Sequence, residues 1–220
     1  MNPWLRVPAA DYEGHMGPEG ADQLRVLADL FQETCTFVRP RRVAVIGCAT
    51  GNGFDRVDPL VTQRLVGVDL NPEYLAIARD RHARLGTALE LVCGDVARCD
   101  LGAGSLDIVF AGLVLEYVEP AEVLHRMAGW LAPGGILGVV IQLPCDSCPE
   151  ITPTRYASVQ GLGEVMRLVE PAEVLARAGE AGLVHAGGRE VPVAHGKRFR
   201  FKVFRREEEC TTPVPSRGVP

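Results

Sequence analysis

The chain has 220 residues, 47% hydrophobic and 23% charged, with a net charge of −5, which allows one full core and no comfortable second domain. The acidic balance argues against a general nucleic-acid binder, since neutralising phosphates takes a basic surface. The N-terminal MNPWLRVPAADYEGHM has no apolar leader segment and the longest apolar run, Ile108 to Leu115, is far below the ~20 residues that cross a bilayer, so a soluble cytoplasmic protein with no membrane partner is expected.

Residues 1–19 carry Pro, Gly and aromatic side chains without a period. Tyr12, His15 and Met16 lie close together there, either as anchors that pack a tail on the domain or as an arm that folds over a ligand. Leu24, Leu27, Ala28, Leu30 and Phe31 then recur at helical spacing, giving a helix over 21–37. In VAVIGCATGNGF (43–54) a buried strand runs into Gly47, Ala49, Gly51 and Gly53, a loop almost without side chains that leads to a helix start. Glycine allows positive φ and close backbone approach, and free N–H groups at a helix start favour a carboxylate or phosphate. An ordinary strand-to-helix turn is the plain alternative.

RLVGVD (64–69) reads as a second strand ending in an acid, after which Asn71 caps and Pro72 opens a helix that closes at Gly86. Residues 88–93 form a third strand followed by Gly94 and Asp95, and 106–111 a fourth with Gly112 at its end. Pro120 opens an amphipathic helix with Val123, Leu124, Met127 and Leu131 on one face, and Pro133, Gly134 and Gly135 stop it before a fifth strand at 136–143. Strands separated by helices imply crossovers and a mainly parallel sheet. Residues 144–170 are a long Pro, Ser and Thr containing connection, a candidate substrate lid. After a helix at 171–181, strands at 183–193 and 197–205 follow with no helix between them, so they form a hairpin and the last strand is antiparallel. The expected organisation is an N-terminal arm and helix capping the site (1–40), one catalytic domain (41–206) and a disordered tail (207–220).

Seven irregularly spaced cysteines, including Cys48 and Cys93 in or beside predicted strands, read as core residues or free thiols in a reducing compartment. Cys145 and Cys148 form a CxxC without a second pair or a histidine at metal spacing, so no metal site is expected. His82 and His125 fall inside predicted helices and read as structural or exposed.

In open parallel sheets ligands bind beyond the carboxyl ends of the strands. Asp69, 22 residues past Gly47, is placed to accept both hydroxyls of a ribose. Asp95 is placed to accept from an adenine amino group, with Leu70 and Val96 as apolar walls.

VAVIGCATG, VGVDLNPEYLAIAR, LVCGDV, LDIVFAGLVLEYVEP and LAPGGILGVV, in that order, resemble the successive motifs of class I S-adenosylmethionine-dependent methyltransferases over 41–143, and the last helix and hairpin extend the likeness to about 206. The resemblance implies an α/β fold, Rossmann-like and doubly wound, with a mostly parallel seven-stranded sheet whose last strand is antiparallel and helices on both faces. It implies S-adenosyl-L-methionine as cofactor and methyl transfer to a small-molecule acceptor by in-line displacement. Carried over, the loop of Gly47, Cys48, Ala49 and Gly51 approaches the methionyl part, Asp69 the ribose hydroxyls, Asp95 with the Val96 backbone the adenine between the walls of Leu70 and Val96, and Ala111 and Gly112 the sulfonium. Two positions depart from the family: Val45 stands where an acid is usual and Ala49 where the second glycine is usual, so Ala49 must hold negative φ or bear strain of about 1 kcal/mol.

Candidates for the acceptor end are Glu116 and Tyr117 after the fourth strand, Asp146, Arg155 and Tyr156 in the connection, and His195 and Lys197 in the hairpin turn. His195, Tyr117 and Tyr156 are read as the catalytic proton acceptors. In KRFRFKVFRR, Arg198, Arg200 and Lys202 alternate with Phe199, Phe201 and Val203, so one face meets solvent, acidic partners or the N-terminal segment, or Arg198 steers an anionic acceptor. Two other readings share these features. One is a degenerate domain that senses S-adenosylmethionine without turnover; the other is a nicotinamide-dependent dehydrogenase, disfavoured because Ala49 and Asn52 break a GxGxxG.

Overall fold

A computed structural model describes residues 2–145 and 148–208. Strands β1 (Arg42–Ile46), β2 (Arg64–Asp69), β3 (Leu89–Cys93), β4 (Leu106–Gly112) and β5 (Leu131–Gln142) pair in parallel. β7 (Arg198–Arg206) runs antiparallel to both β5 and β6 (Leu183–Pro192), so the closing hairpin forms as the short link requires. The seven strands make one sheet in the order β3-β2-β1-β4-β5-β7-β6.

Alternation along β1 shows how the sheet is buried. Val43 and Val45 pack with Leu30 and Phe31 of α2 (Leu24–Thr36) and Tyr74 and Leu75 of α3 (Pro72–Arg81). Ala44 and Ile46 face the other way, into a second cluster with Val123, Leu124 and Met127 of α4 (Pro120–Trp130) and Val174 of α6 (Pro171–Glu180). Both faces of a central strand are thereby apolar, as a parallel sheet between helix layers demands. α3 starts where its cap predicts, with the Asn71 side chain accepting the Glu73 N–H at 3.0 Å and Pro72 at the first turn. Among the described residues no helix is long and apolar enough to cross a membrane.

Four expectations are corrected. No α-helix follows the glycine loop: Gly51 and Gly53 adopt φ of 89° and 84°, and a single 3-10 turn, Phe54–Arg56, is all that forms. Left-handed residues break the helical hydrogen-bond ladder at its start, so the loop has no helix dipole behind it. The N-terminal segment is not periodless tail: a turn at Pro3–Arg6 leads into α1 (Ala9–Met16), which buries Tyr12, His15 and Met16. Asp22, with φ of 50°, keeps α2 from starting before Leu24. Finally, Pro133, Gly134 and Gly135 lie inside β5, whose first residue Leu131 pairs with Leu106 across a register irregularity.

The connection after β5 contains a short helix, α5 (Ala157–Gln160), and a further 3-10 turn. Cys145 and Cys148 are joined as a disulfide with Cα atoms 5.5 Å apart, which departs from the reading as core or free thiols, whereas Cys93 is a free thiol exposed at the end of β3. Cys48 is buried and unpaired. Asp146 and residues 209–220, with the seventh cysteine, Cys210, and most of the expected tail, lie outside the described residues.

Candidate active site

Sheet order reverses between β1 and β4, and such a switch point opens a crevice beyond the strands' carboxyl ends. A cavity of about 300 Å³ lies there. Its floor comes from successive strand ends: Gly47 and Ala49, then Asp69 and Leu70, then Asp95 and Val96, then Gly112 and Leu113, and Gln142 at the end of β5. Its cover comes from Trp4, Tyr12, His15 and Met16 on one side, and from Ile151, Val159, Leu162 and Met166 of the connection.

Asp69 and Asp95 stand at the same end of the sheet. Asp69 is in register with Cys93, two residues before Asp95, and the Gly94 N–H donates to the Asp69 carbonyl at 2.9 Å. The two Asp69 carboxylate oxygens hold the loops on either side: Oδ2 accepts the Ala49 N–H and Oδ1 the Asn71 N–H, each at 2.8 Å. Burial raises the Asp69 carboxyl, and hydrogen bonds from the Asn71, Ala49 and Leu70 backbone oppose that rise. Asp95 is exposed, and its Oδ1 accepts the Ala97 N–H at 2.9 Å.

Ala49 takes the strained option, with φ of 47°. Its N–H bond to Asp69 fixes that conformation, and Val45, 5% exposed, contributes core packing where the family has an acid. A second acid reaches the loop from α1: Glu13 Oε1 accepts from Thr50 Oγ1 at 2.5 Å and from Arg81 at 2.7 Å, and the Arg81 bond holds its carboxyl below the usual range. The substitution Ala49→Gly is expected to raise the unfolding free energy by about 1 kcal/mol, because glycine carries no methyl into the left-handed region. Urea denaturation checks this; equal or lower stability contradicts it.

Of the residues read as cofactor contacts, Gly47, Ala49, Asp69, Leu70, Asp95, Val96 and Gly112 line the cavity. Cys48, Gly51 and Ala111 do not. Cys48 is buried beneath Gly67, Gly51 packs on the His82 ring, and Ala111 is wholly buried in the sheet, so they shape the floor from behind.

The residues read as catalytic separate in the same way. Tyr117 lines the cavity, edge-on to Trp4 with ring centroids 5.0 Å apart. Burial, with Glu116 and Glu150 nearby, pushes its phenol up, so it stays protonated and is poorly suited to serve as a base. Tyr156 is not in the lining; its ring covers Gly14 and its hydroxyl accepts from Arg155 at 2.9 Å. His195 turns away, with φ of 59° and Nε2 bonded to the Gly20 carbonyl at 2.9 Å. Since a carbonyl only accepts, that ring nitrogen carries the proton. Arg198 pairs with Glu190 of β6 at 3.0 Å and Arg200 bonds the same carboxylate, so the charged face of β7 meets an acidic partner in its own sheet.

Lys197 does line the cavity, beside residues that sequence reasoning did not combine: His15, Gln142 and Glu150. They come from α1, the end of β5 and the connection, and no spacing in the chain signals that they meet.

Residues 44–139 match a family described as a methyltransferase domain. The chain is 32% identical over 146 residues to the trans-aconitate 2-methyltransferase of Methylobacterium radiotolerans, covering 64% of this chain and 52% of that protein. It is 27% identical over 175 residues to the malonyl-[acyl-carrier protein] O-methyltransferase of Laribacter hongkongensis, covering 74% of this chain and 57% of that one. The chain thus spans about half the length of the curated relatives it matches. Among solved structures, the N-methyltransferase NodS of Bradyrhizobium japonicum in complex with S-adenosyl-L-homocysteine superposes with a TM-score of 0.72 at 18% identity, covering 94% of this chain and 100% of that one, which speaks for the fold. Motif order, sheet order and these matches agree: residues 44–139 match a methyltransferase domain, and the fold built around them is similar to that of class I S-adenosylmethionine-dependent methyltransferases.

Proposed function

We propose that the chain binds S-adenosyl-L-methionine in this crevice and moves its methyl group to a small-molecule acceptor. The observation that carries the reading is the pair of carboxylates at adjacent strand ends beside a loop whose backbone is open to the cavity. The residues fit such a cofactor. The Asp69 carboxylate, which already accepts the Ala49 and Asn71 N–H groups, keeps acceptor capacity for ribose hydroxyls. Asp95 and the Val96 backbone suit an adenine edge, Leu70 and Val96 its faces, and the Gly47 and Ala49 backbone the methionyl end.

When bound, this cofactor supplies a methyl carbon already activated by its sulfonium, so the protein's task is alignment and exclusion of water. Trp4, Tyr12 and Tyr117 cover the crevice, and the Tyr117 hydroxyl keeps its proton. His15 is pushed down to about 4, first by burial and then by Lys197, which makes it a weak base. An acceptor atom that needs no proton removed suits this cavity better than an ammonium or an alcohol. The carboxylates carried by the trans-aconitate and malonyl acceptors of the curated relatives are of that kind.

Calorimetry with S-adenosyl-L-homocysteine, S-adenosyl-L-methionine and NAD tests the binding step, and labelled-methyl transfer over acceptor pools tests turnover. Binding of both adenosyl compounds but not NAD is the expected result; preference for NAD contradicts it. Val45 and the strained Ala49 favour, as a second reading, a domain that binds the cofactor without turnover. Tight binding with no labelled product across the pools would support that reading.

A further inference from the structure

Across the switch point from the two acids, the cavity wall carries one buried cation. Lys197 is 3% exposed, and its Nζ donates to the Glu150 carbonyl at 2.6 Å and to Gln142 Oε1 at 3.4 Å. An ammonium has a third donor, and among the described residues no carboxylate lies within ion-pairing distance of it; the Glu150 carboxylate favours the charge only from farther off. Burial pulls the amine down to about 8, so it is still mostly cationic at neutral pH. A buried charge without a counter-ion is costly, and an anionic ligand offsets that cost.

The surroundings narrow the kind of anion. Gln142 is fixed twice, its N–H donating to Glu116 Oε1 at 2.7 Å and its side-chain amide to the Glu150 carbonyl at 2.9 Å. His15 is neutral, with Nδ1 bonded to Thr154 Oγ1 at 3.0 Å. One buried ammonium held by neutral polar groups, with the Glu150 carboxylate farther off, suits a planar monoanionic group, whereas a phosphate is usually met by several cations or a row of backbone N–H groups. Apolar side chains, among them Leu27, Val159, Leu162 and Met166, supply the rest of this wall.

We infer that Lys197, steadied by Gln142 and Glu150, is the docking point for a carboxylate on the methyl acceptor, and that the acceptor is a small organic acid with an apolar body. The inference rests on the methyltransferase reading and assigns its substrate class.

The test uses the full chain and its Lys197→Met and Lys197→Arg variants, with circular dichroism melts to check folding. Butyrate, benzoate and succinate are compared with butyramide, benzamide and succinamide by calorimetry, with and without S-adenosyl-L-homocysteine, and as acceptors of labelled methyl. Expected are preference for acids over amides in the parent protein, at least tenfold weaker acid binding in Lys197→Met with KM affected more than kcat, partial recovery in Lys197→Arg, and S-adenosyl-L-homocysteine affinity within twofold throughout. Acids binding no better than amides, or equal acid binding in Lys197→Met, overturns the inference. Loss of S-adenosyl-L-homocysteine binding in the parent protein instead overturns the cofactor reading, and the acid series without it still decides the role of Lys197.

Discussion

Asp69→Ala is expected to lower affinity for S-adenosyl-L-homocysteine by about a hundredfold or more and to reduce stability as well. Two effects combine. The variant loses a charged acceptor for two ribose hydroxyls, and hydrogen bonds to charged groups contribute about 1.5–3 kcal/mol each. It also frees the Ala49 and Asn71 N–H groups that the carboxylate now holds, so the glycine loop and the start of α3 lose their common tie. A hundredfold corresponds to about 2.7 kcal/mol, within reach of the first effect alone. Asp69→Asn separates the two, since its one carbonyl oxygen keeps a backbone partner while the charge is gone. Unchanged affinity by calorimetry in a folded Asp69→Ala variant would contradict the ribose assignment.

Glu116→Gln is expected to stabilise the protein at alkaline pH and leave it nearly unchanged in acid. Glu116 is 1% exposed; Oε1 accepts the Gln142 N–H while Oε2 has no partner among the described residues. Burial pushes its carboxyl up to about 7 from the ordinary 4.5. A group whose folded pKa is raised adds stability below its unfolded value, and that contribution is lost as pH rises through the folded value. At pH 9 the parent therefore carries a penalty of about 3 kcal/mol that an amide, which resembles the protonated acid, avoids. Lys197, lowered to about 8, shifts the opposite way, so the variant must be compared with the parent at each pH. Urea midpoints at pH 5 and 9 provide the check, and the same difference at both pH values would refute the account.

The parts of the fold legible in the sequence were those encoded locally. β2 and the start of α3 follow from a short apolar run, an acid, Asn71 and Pro72, and the closing hairpin follows from a link too short for a crossover. α1 was missed because eight residues interrupted by Gly14 give no clear period, although packing against Tyr74 and α5 holds them helical. The opposite error occurred after β1, where glycines read as the lead-in to a helix instead occupy left-handed positions that prevent one.

The cofactor side of the candidate site was legible because strand ends are spaced along the chain as they are across the sheet. The acceptor side was not. His195 and Lys197 are two residues apart, yet the left-handed backbone at His195 sends its ring to Gly20 while Lys197 faces Gln142 and Glu150. Only the fold distinguishes them.

Glu13 binds Thr50 and Arg81, and farther up the chain the Asn71 side chain holds the Trp4 carbonyl and the Tyr74 hydroxyl the Val7 carbonyl. The amino end is therefore wall as much as cover, and any guest in the crevice shares a free-energy coupling with it. By reciprocity, whatever loosens residues 2–16 weakens the guest by the same amount that the guest firms those residues. Edits at the amino end are then edits to affinity, even though they lie outside the strand-end motifs that mark the family.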